Sequence, residues 1–134
     1  MAVLLIAAIS TLILLYLSIG TIKVRKSNKI IFGDGDNHEL KQWIRAHGNF
    51  VENSPFILLL LFLLEYSGVS KVEIALAGTI FIAGRISHAY SMVKAEKYRD
   101  GKLLTDIKFR VYGMSLTFLV LFYCVIRLLV TYFI

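Results

Sequence analysis

Residues 2–22, AVLLIAAISTLILLYLSIGTI, form a run of 21 residues without a charged side chain. A helix of about 20 apolar residues spans the hydrocarbon core of a bilayer. No basic segment precedes this run, and no cleavage position flanked by small residues closes it, so it does not resemble a secretory signal. We therefore expect a retained transmembrane helix.

Three further apolar stretches follow, and the four together predict helices at about residues 2–25, 43–67, 71–95 and 106–133. The connections between them carry turn signals, among them Gly33–Asp36, Gly68 and Asp100–Gly101. No stretch alternates with the period of two that a β-barrel requires. The predicted fold is all-α, an integral membrane four-helix bundle, in a single domain of residues 1–134.

The composition supports a membrane protein. Hydrophobic residues make up 57% of the 134 residues and charged residues 18%, against about 45–50% and about 25% in soluble domains. Disorder is excluded because it requires low hydrophobicity. The single cysteine excludes an internal disulfide framework, and no zinc-binding histidine spacing or phosphate-binding glycine loop occurs. We expect no metal and no nucleic acid partner.

The net charge of +6 is distributed unevenly along the chain. The second connection contains only one basic residue, Lys71. The first and third connections with their flanks contain most of the others: Lys23, Arg25, Lys26, Lys29, Lys41 and Arg45, then Lys94, Lys97, Arg99, Lys102, Lys108 and Arg110. Basic connections face the cytoplasm, which predicts four passes with both termini on the opposite side.

Several polar residues lie inside the predicted helices. Arg45, Asn49 and Glu52 share one stripe of the second helix, because they are four and three residues apart. The spacing likewise places Arg85 with His88 on the third helix, and Arg110 with Gly113 and Thr117 on the fourth. If these faces point inward, they form a basic pocket for a small anion at the membrane interface.

Each of these residues also has a structural interpretation. Arg45 and Arg110 are placed where arginines extend to lipid headgroups, and Arg127 is expected to extend outward at the other membrane face. A deeply placed charge requires a partner, so we expect Glu52 to pair with Arg85 at similar depth. His88 and Cys124 alone would be packing residues. Glu52→Gln is accordingly expected to destabilise the protein far more than Glu96→Gln, since Glu96 lies at the start of the third connection.

The segment Arg45-Ala-His-Gly-Asn49-Phe-Val-Glu52-Asn-Ser-Pro55 resembles the MAPEG family, membrane-associated proteins in eicosanoid and glutathione metabolism. The family pattern is R-x-x-x-N-x-x-E-x-x-P. The segments Gly84-Arg85-Ile-Ser-His88-Ala and Arg110-Val-Tyr-Gly113-Met are similar to the family's third and fourth helices. Gly33-Asp34-Gly35 with Leu40 is similar to the first loop of bacterial members.

The resemblance implies a homotrimer that holds glutathione as a co-substrate between neighbouring subunits at the cytoplasmic side of a bacterial inner membrane. It implies that Arg110 activates the thiol and that Lys23 reaches the ligand from the adjacent subunit. The implied glutathione-binding residues are Lys23, Arg45, Asn49, Glu52, Arg85 and His88. The thiolate is the nucleophile, and a fixed cation favours it.

The implied function is a glutathione transferase, with peroxidase activity as a further possibility, that acts in detoxification on lipophilic electrophiles or lipid hydroperoxides in the membrane. An alternative is a non-catalytic lipid-binding member that resembles the lipoxygenase-activating protein. A small channel is a third hypothesis, although the polar residues at one end provide no path across. Gly48 and Asn53 replace an arginine and a tyrosine of some eukaryotic members, which argues against a specialised eicosanoid synthase.

Overall fold

The computed structural model describes residues 1–99 and 102–133, and within them four helical segments are long and apolar enough to cross a membrane. Their bounds are α1 (Ala2–Ser27), α2 (His38–Tyr66), α3 (Lys71–Tyr90) with a π-helical extension (Ser91–Ala95), and α4 (Lys108–Phe133). The prediction of an all-α membrane bundle with four helices is confirmed.

The connection between α3 and α4 contains a short hairpin that the sequence analysis did not predict. Its strands, β1 (Tyr98–Arg99) and β2 (Lys102–Leu103), are antiparallel, and Tyr98 pairs with Leu103. The predicted turn at Asp100–Gly101 lies outside the described residues. The hairpin matters for the site because its first strand carries Tyr98 towards the end of α3.

Helix α2 begins five residues earlier than predicted, at His38 instead of residue 43. The side chain of Asn37 accepts a hydrogen bond from the backbone N–H of Leu40 at 2.8 Å and so caps the helix. Leu40 is fully buried and Trp43 nearly so, which makes the polar first turns amphipathic. Arg45 and Asn49 consequently lie two and three turns inside a continuous helix.

The interior of the bundle contains two apolar clusters, and the outer faces carry exposed apolar side chains such as Leu4, Phe118 and Phe122, as expected for contact with lipid. The terminal cluster lies near the short connection between α2 and α3: Val3, Ile6, Ile57, Leu61, Leu64, Val69, Ile74, Ala77, Phe81, Val120 and Cys124. The basic-end cluster lies near the long connections: Leu17, Val24, Leu40, Trp43, Ala46, Phe50, Ala89 and Met92. Arg85 and His88 fall between the two clusters along α3.

Helices α3 and α4 approach most closely at two glycines. A Cβ atom added to Gly113 would lie 2.5 Å from the carbonyl oxygen of Gly84 and 2.8 Å from the Cβ of His88. Small residues allow this approach between membrane helices. The crossing brings the polar face of α3, with Arg85 and His88, directly against the first turns of α4, which carry Arg110.

Arg127, which was expected to extend to the outer membrane face, forms an ion pair with Glu73 at that end of the bundle. Its Nε donates to Oε1 of Glu73 at 2.7 Å, and the hydroxyl of Tyr123 donates to the same oxygen. The prediction missed this pair because Glu73 begins α3 and Arg127 lies near the end of α4, so the two meet only once the helices pack antiparallel. Cys124 is completely buried, which agrees with its expected packing role.

Candidate functional site

Arg85 is almost completely buried, with 1% of its surface exposed. Its Nη1 donates to Oδ1 of Asn49 at 2.7 Å, and its Nη2 lies 3.4 Å from the carbonyl oxygen of Gly113 and from the sulfur of Met114. Among the described residues its Nε has no hydrogen-bond partner. Arg85 therefore ties α2 to α4 through neutral acceptors and holds the Asn49 amide in place.

The expected ion pair between Glu52 and Arg85 is wrong for a single protomer. In the part of the chain that the structure describes, no carboxylate lies within ion-pair distance of Arg85, and Glu52 is exposed. Helical spacing places Asn49 and Glu52 on one stripe of α2 but does not specify which of them faces Arg85. Asn49, one turn before Glu52 on the same stripe, is the residue that faces Arg85.

A cavity of about 540 Å³ lies between α2, α3 and α4 at the basic end of the bundle. Arg45, Asn49, His88 and Arg110 supply most of its polar lining. Its other walls are Met92, Ile107, Val111, Met114, Ser115 and Phe118. Because two guanidinium groups and no carboxylate are among these lining residues, the cavity suits an anion with an apolar portion.

The structure thus brings four of the candidate site residues together and leaves three outside the cavity lining. Arg45, Asn49, His88 and Arg110 line the cavity, and His88 is 5% exposed. Arg85 lies behind the wall, bonded to Asn49. Lys23, on the last turns of α1, and Glu52, on α2, are exposed on the surface of the protomer.

Arg110 has a charged partner that the sequence analysis missed. Its Nη1 lies 3.3 Å from Oε2 of Glu96, whose side chain is 0% exposed. The other oxygen of this carboxylate accepts a hydrogen bond from the hydroxyl of Ser91 at 3.0 Å. Glu96 is therefore a buried carboxylate directly behind the cavity, which its position at the start of the third connection did not indicate.

Tyr98 completes the surroundings of Glu96. Its hydroxyl donates to Oε2 at 2.8 Å, and its ring stacks on that of His38 at a centroid distance of 5.6 Å. Burial and the hydrogen bond to Glu96 raise the pKa of Tyr98. The phenol therefore keeps its proton through neutral pH and remains a hydrogen-bond donor to the carboxylate.

Two local features bury Glu96, and only one of them leaves a trace in the sequence. The π-helical turn Ser91–Ala95 redirects the chain so that the Ser91 hydroxyl meets the carboxylate. Such turns often occur at functional sites, but no residue pattern marks one. The second feature is the hairpin, which has a recognisable turn signal in Asp100–Gly101. That signal could have indicated that Tyr98 folds back.

Comparison with known proteins identifies the family of this chain. The sequence profile of the MAPEG family matches residues 3–130. The chain is 33% identical over 84 residues to Inner membrane protein YecN of Escherichia coli K12, and the match covers 63% of this chain and 64% of that protein. Inner membrane protein YecN of Escherichia coli O6:H1 matches with the same identity and coverage. The match spans less than two thirds of the length of these curated relatives. Because the family profile covers nearly all of the sequence, this chain belongs to the MAPEG family.

Proposed function

We propose that this protein is an inner-membrane enzyme that binds glutathione in the cavity at the basic end and activates its thiol for attack on lipophilic molecules. The observation that carries the proposal is the convergence of Arg45, Asn49, His88 and Arg110 on one cavity. Glutathione has two carboxylates, amide groups and a thiol. A lining with two guanidinium groups, an amide and an imidazole matches those groups in charge and in hydrogen bonding.

Arg110 is the proposed thiol activator and Arg45 the proposed carboxylate ligand. A free thiol has a pKa of about 8.5, and only the thiolate is a good nucleophile. A nearby guanidinium lowers that pKa and remains charged at any physiological pH. Arg110 is suited to this role because Glu96 and Met92 hold its guanidinium in place, whereas Arg45 is exposed and free to follow a carboxylate.

The proposed place of the lipophilic partner is a mostly apolar groove next to the cavity. A second groove, of about 650 Å³, lies along α4 and includes Tyr112, Leu116 and Leu119. It borders the cavity along one ridge of α4, because Ile107, Val111 and Ser115 line both spaces. We assign the bilayer-dissolved partner to this groove, because it lies next to the cavity on the α4 face.

Two reactions follow from one activated thiolate. In a transferase reaction, the sulfur forms a bond to an electrophilic carbon, and the leaving group departs with its electron pair. In a peroxidase reaction, a lipid hydroperoxide is reduced to the alcohol, and two glutathione molecules are oxidised to the disulfide with release of water. Both require the thiolate to face the membrane, as the position of the α4 groove would allow.

The proposed assembly is a homotrimer with the site between subunits. Lys23 and Glu52 are exposed on the isolated protomer, so they are available to a neighbouring subunit or to a ligand held between two subunits. We place the cavity on the cytoplasmic side, because the basic connections surround it.

Paired variants test the proposal in detergent-purified protein titrated with glutathione. Arg45→Ala is expected to weaken binding at least tenfold and to leave the ultraviolet thiolate absorbance of the saturated protein intact. Arg110→Gln, combined with Glu96→Gln so that no buried carboxylate is left unpaired, is expected to retain much of the affinity and to lose the thiolate signal. Glutathione affinity is measured by calorimetry.

The control is Lys71→Ala at the opposite end of the bundle, which should change neither quantity. Equal behaviour of the Arg45 and Arg110 variants would contradict the division of roles. If the wild-type protein binds lipid, does not bind glutathione and gives no thiolate absorbance, the enzyme is ruled out in favour of the lipid-binding alternative.

A further inference from the structure

Every oxygen of the Glu96 carboxylate is already engaged by the protein. Oε1 accepts a hydrogen bond from Ser91 at 3.0 Å. Oε2 accepts one from Tyr98 at 2.8 Å and lies 3.3 Å from Nη1 of Arg110. A carboxylate with no exposed surface and three donors is a fixed charge, not a mobile one.

The backbone of Glu96 is held as firmly as its side chain. Its N–H donates to the carbonyl oxygen of Ser91 at 2.9 Å, and its own carbonyl accepts a hydrogen bond from Nε2 of Gln42 at 3.0 Å. The π-helical turn and α2 therefore both position this residue. The carboxylate that results presents one oxygen to α4, at the level of Arg110.

Arg110 lies between this anion and the cavity. Its side chain is 32% exposed and lines the cavity on one side, while Nη1 contacts Glu96 and lies 3.3 Å from the sulfur of Met92 on the other. A free arginine side chain loses rotamer entropy when a ligand immobilises it. Here that entropy is already lost before the ligand binds.

We propose that Glu96 is a positioning residue for Arg110 and holds its guanidinium at the cavity wall. The negative charge of Glu96 also limits the electrostatic attraction of Arg110 for a bound thiolate. The second half of this inference rests on the proposed function, and the first half does not. Nothing in the family resemblance assigns a role to Glu96. Arg110 therefore offers the cavity a strong hydrogen-bond donor, and Glu96, on the side away from the cavity, partly offsets its positive charge.

The other charged groups near Arg110 are accounted for. Arg45 from α2 and His88 from α3 face the same cavity, and both would add to the pull on an anion. Tyr98 is a neutral donor. Glu96 is thus the anion that opposes the cationic lining at this end, within the residues that the structure describes.

Glu96→Gln removes the negative charge of this residue and can keep its hydrogen bonds. A glutamine can still accept from Arg110 and Tyr98 through its oxygen and donate to Ser91 through its nitrogen, but it carries no charge. We expect the pH midpoint of thiolate formation by bound glutathione to fall by about one unit. Glu39→Gln, the same change at an exposed position of the same membrane side, should leave the midpoint unchanged.

Tyr98→Phe should shift the same midpoint in the opposite direction. Without the phenol, Oε2 has Arg110 as its remaining donor, and more of the negative charge acts on the guanidinium. The midpoint is therefore expected to rise, by less than it falls in Glu96→Gln. This variant removes one hydroxyl and keeps the ion pair, so it also decides the matter if Glu96→Gln does not fold.

Positioning is measured without glutathione, by the rate at which phenylglyoxal modifies Arg110, followed by mass spectrometry and normalised to Arg45 in the same molecules. Arylglyoxals react slowly with an ion-paired guanidinium. Glu96→Ala should raise the Arg110 rate severalfold, and Glu39→Ala should not. An unchanged Arg110 rate overturns the positioning role.

A midpoint that stays fixed in both Glu96→Gln and Tyr98→Phe, or that moves in the same direction in both, overturns the electrostatic role. If the wild-type protein gives no thiolate signal, the proposed function fails and the electrostatic role fails with it. The phenylglyoxal rates then still decide whether Glu96 positions Arg110.

Discussion

Single buried residues show how differently the charges of this bundle are compensated. Arg110 has a carboxylate partner in Glu96. Among the described residues, the hydrogen-bond acceptors of Arg85 are all neutral, and Oδ1 of Asn49 is the nearest at 2.7 Å. A buried donor that loses its acceptor is costly. The side chain of Asn49 is therefore expected to contribute to stability as well as to ligand binding.

Asn49→Ala is expected to lower the free energy of unfolding by about 2 kcal/mol, because it leaves the buried guanidinium of Arg85 without its nearest acceptor. Thermal unfolding in detergent, without glutathione, measures the change. Asn53→Ala is the matched control, since Asn53 bonds only to a carbonyl of its own helix and should change stability little. Equal losses in the two variants would contradict the importance of the Arg85–Asn49 contact.

The sequence predicted which polar residues share a cavity better than it predicted their partners. Helical periodicity is enough to place Arg45 and Asn49 on one stripe and Arg85 and His88 on another, so the basic pocket follows from spacing. The partner of Arg85 depends on the rotation of α2 about its axis, which spacing does not specify. The partner of Arg85 does come from the predicted stripe of α2, but it is Asn49 and not Glu52.

At the level of helices, the contact of α3 with α4 decides the shape of the site. Gly84 and Gly113 let the two backbones approach until a Cβ on Gly113 would lie 2.5 Å from a carbonyl oxygen. Both glycines were part of the motifs quoted from the sequence, yet their packing role was not predicted. Gly84, next to Arg85 in the third-helix motif, allows the short distance between α3 and α4 that brings Arg85 to the neighbouring helix.

Gly113→Ala is expected to destabilise the protein by about 2 kcal/mol, because the added methyl group forces α4 away from α3. The displacement should also widen the cavity and weaken glutathione binding. Gly48→Ala is the control: nothing lies within 4 Å of its added Cβ, and an alanine stabilises a helix by up to about 1 kcal/mol relative to glycine. Two variants with the same unfolding temperature would contradict the close crossing.

Regular elements with strong periodicity were predicted well, and short irregular ones were not. The apolar runs were sufficient for four membrane helices, because burial in lipid requires helical backbone throughout. The start of α2, the π-helical turn and the hairpin depend on a few hydrogen bonds each, such as the cap by Asn37. These short elements carry Glu96 and Tyr98, so the part of the site behind Arg110 escaped prediction.

In the whole molecule, charge is concentrated at one end of the bundle, and this asymmetry determines the proposed orientation. Phe32 lies in the first basic connection with 95% of its surface exposed, and Ser67 is exposed in the short connection at the opposite end. Cys124, the native thiol, is fully buried. Introduced cysteines at these two positions can therefore report the side of the membrane.

A membrane-impermeant maleimide applied to intact cells is expected to label Ser67→Cys and not Phe32→Cys, and to label both after permeabilisation. The reason is the excess of lysine and arginine in the long connections, which retains them in the cytoplasm. Labelling of Phe32→Cys alone in intact cells would reverse the orientation and place the cavity on the outer side.

The central claim is that the cavity between α2, α3 and α4 converts bound glutathione into its thiolate. The most direct test is the ultraviolet difference spectrum of the purified wild-type protein at neutral pH as glutathione is added. We predict saturable thiolate absorbance that S-methylglutathione, which lacks a free thiol, does not produce although it competes for the site. Saturable glutathione binding without thiolate absorbance, or no binding at all, would contradict the claim.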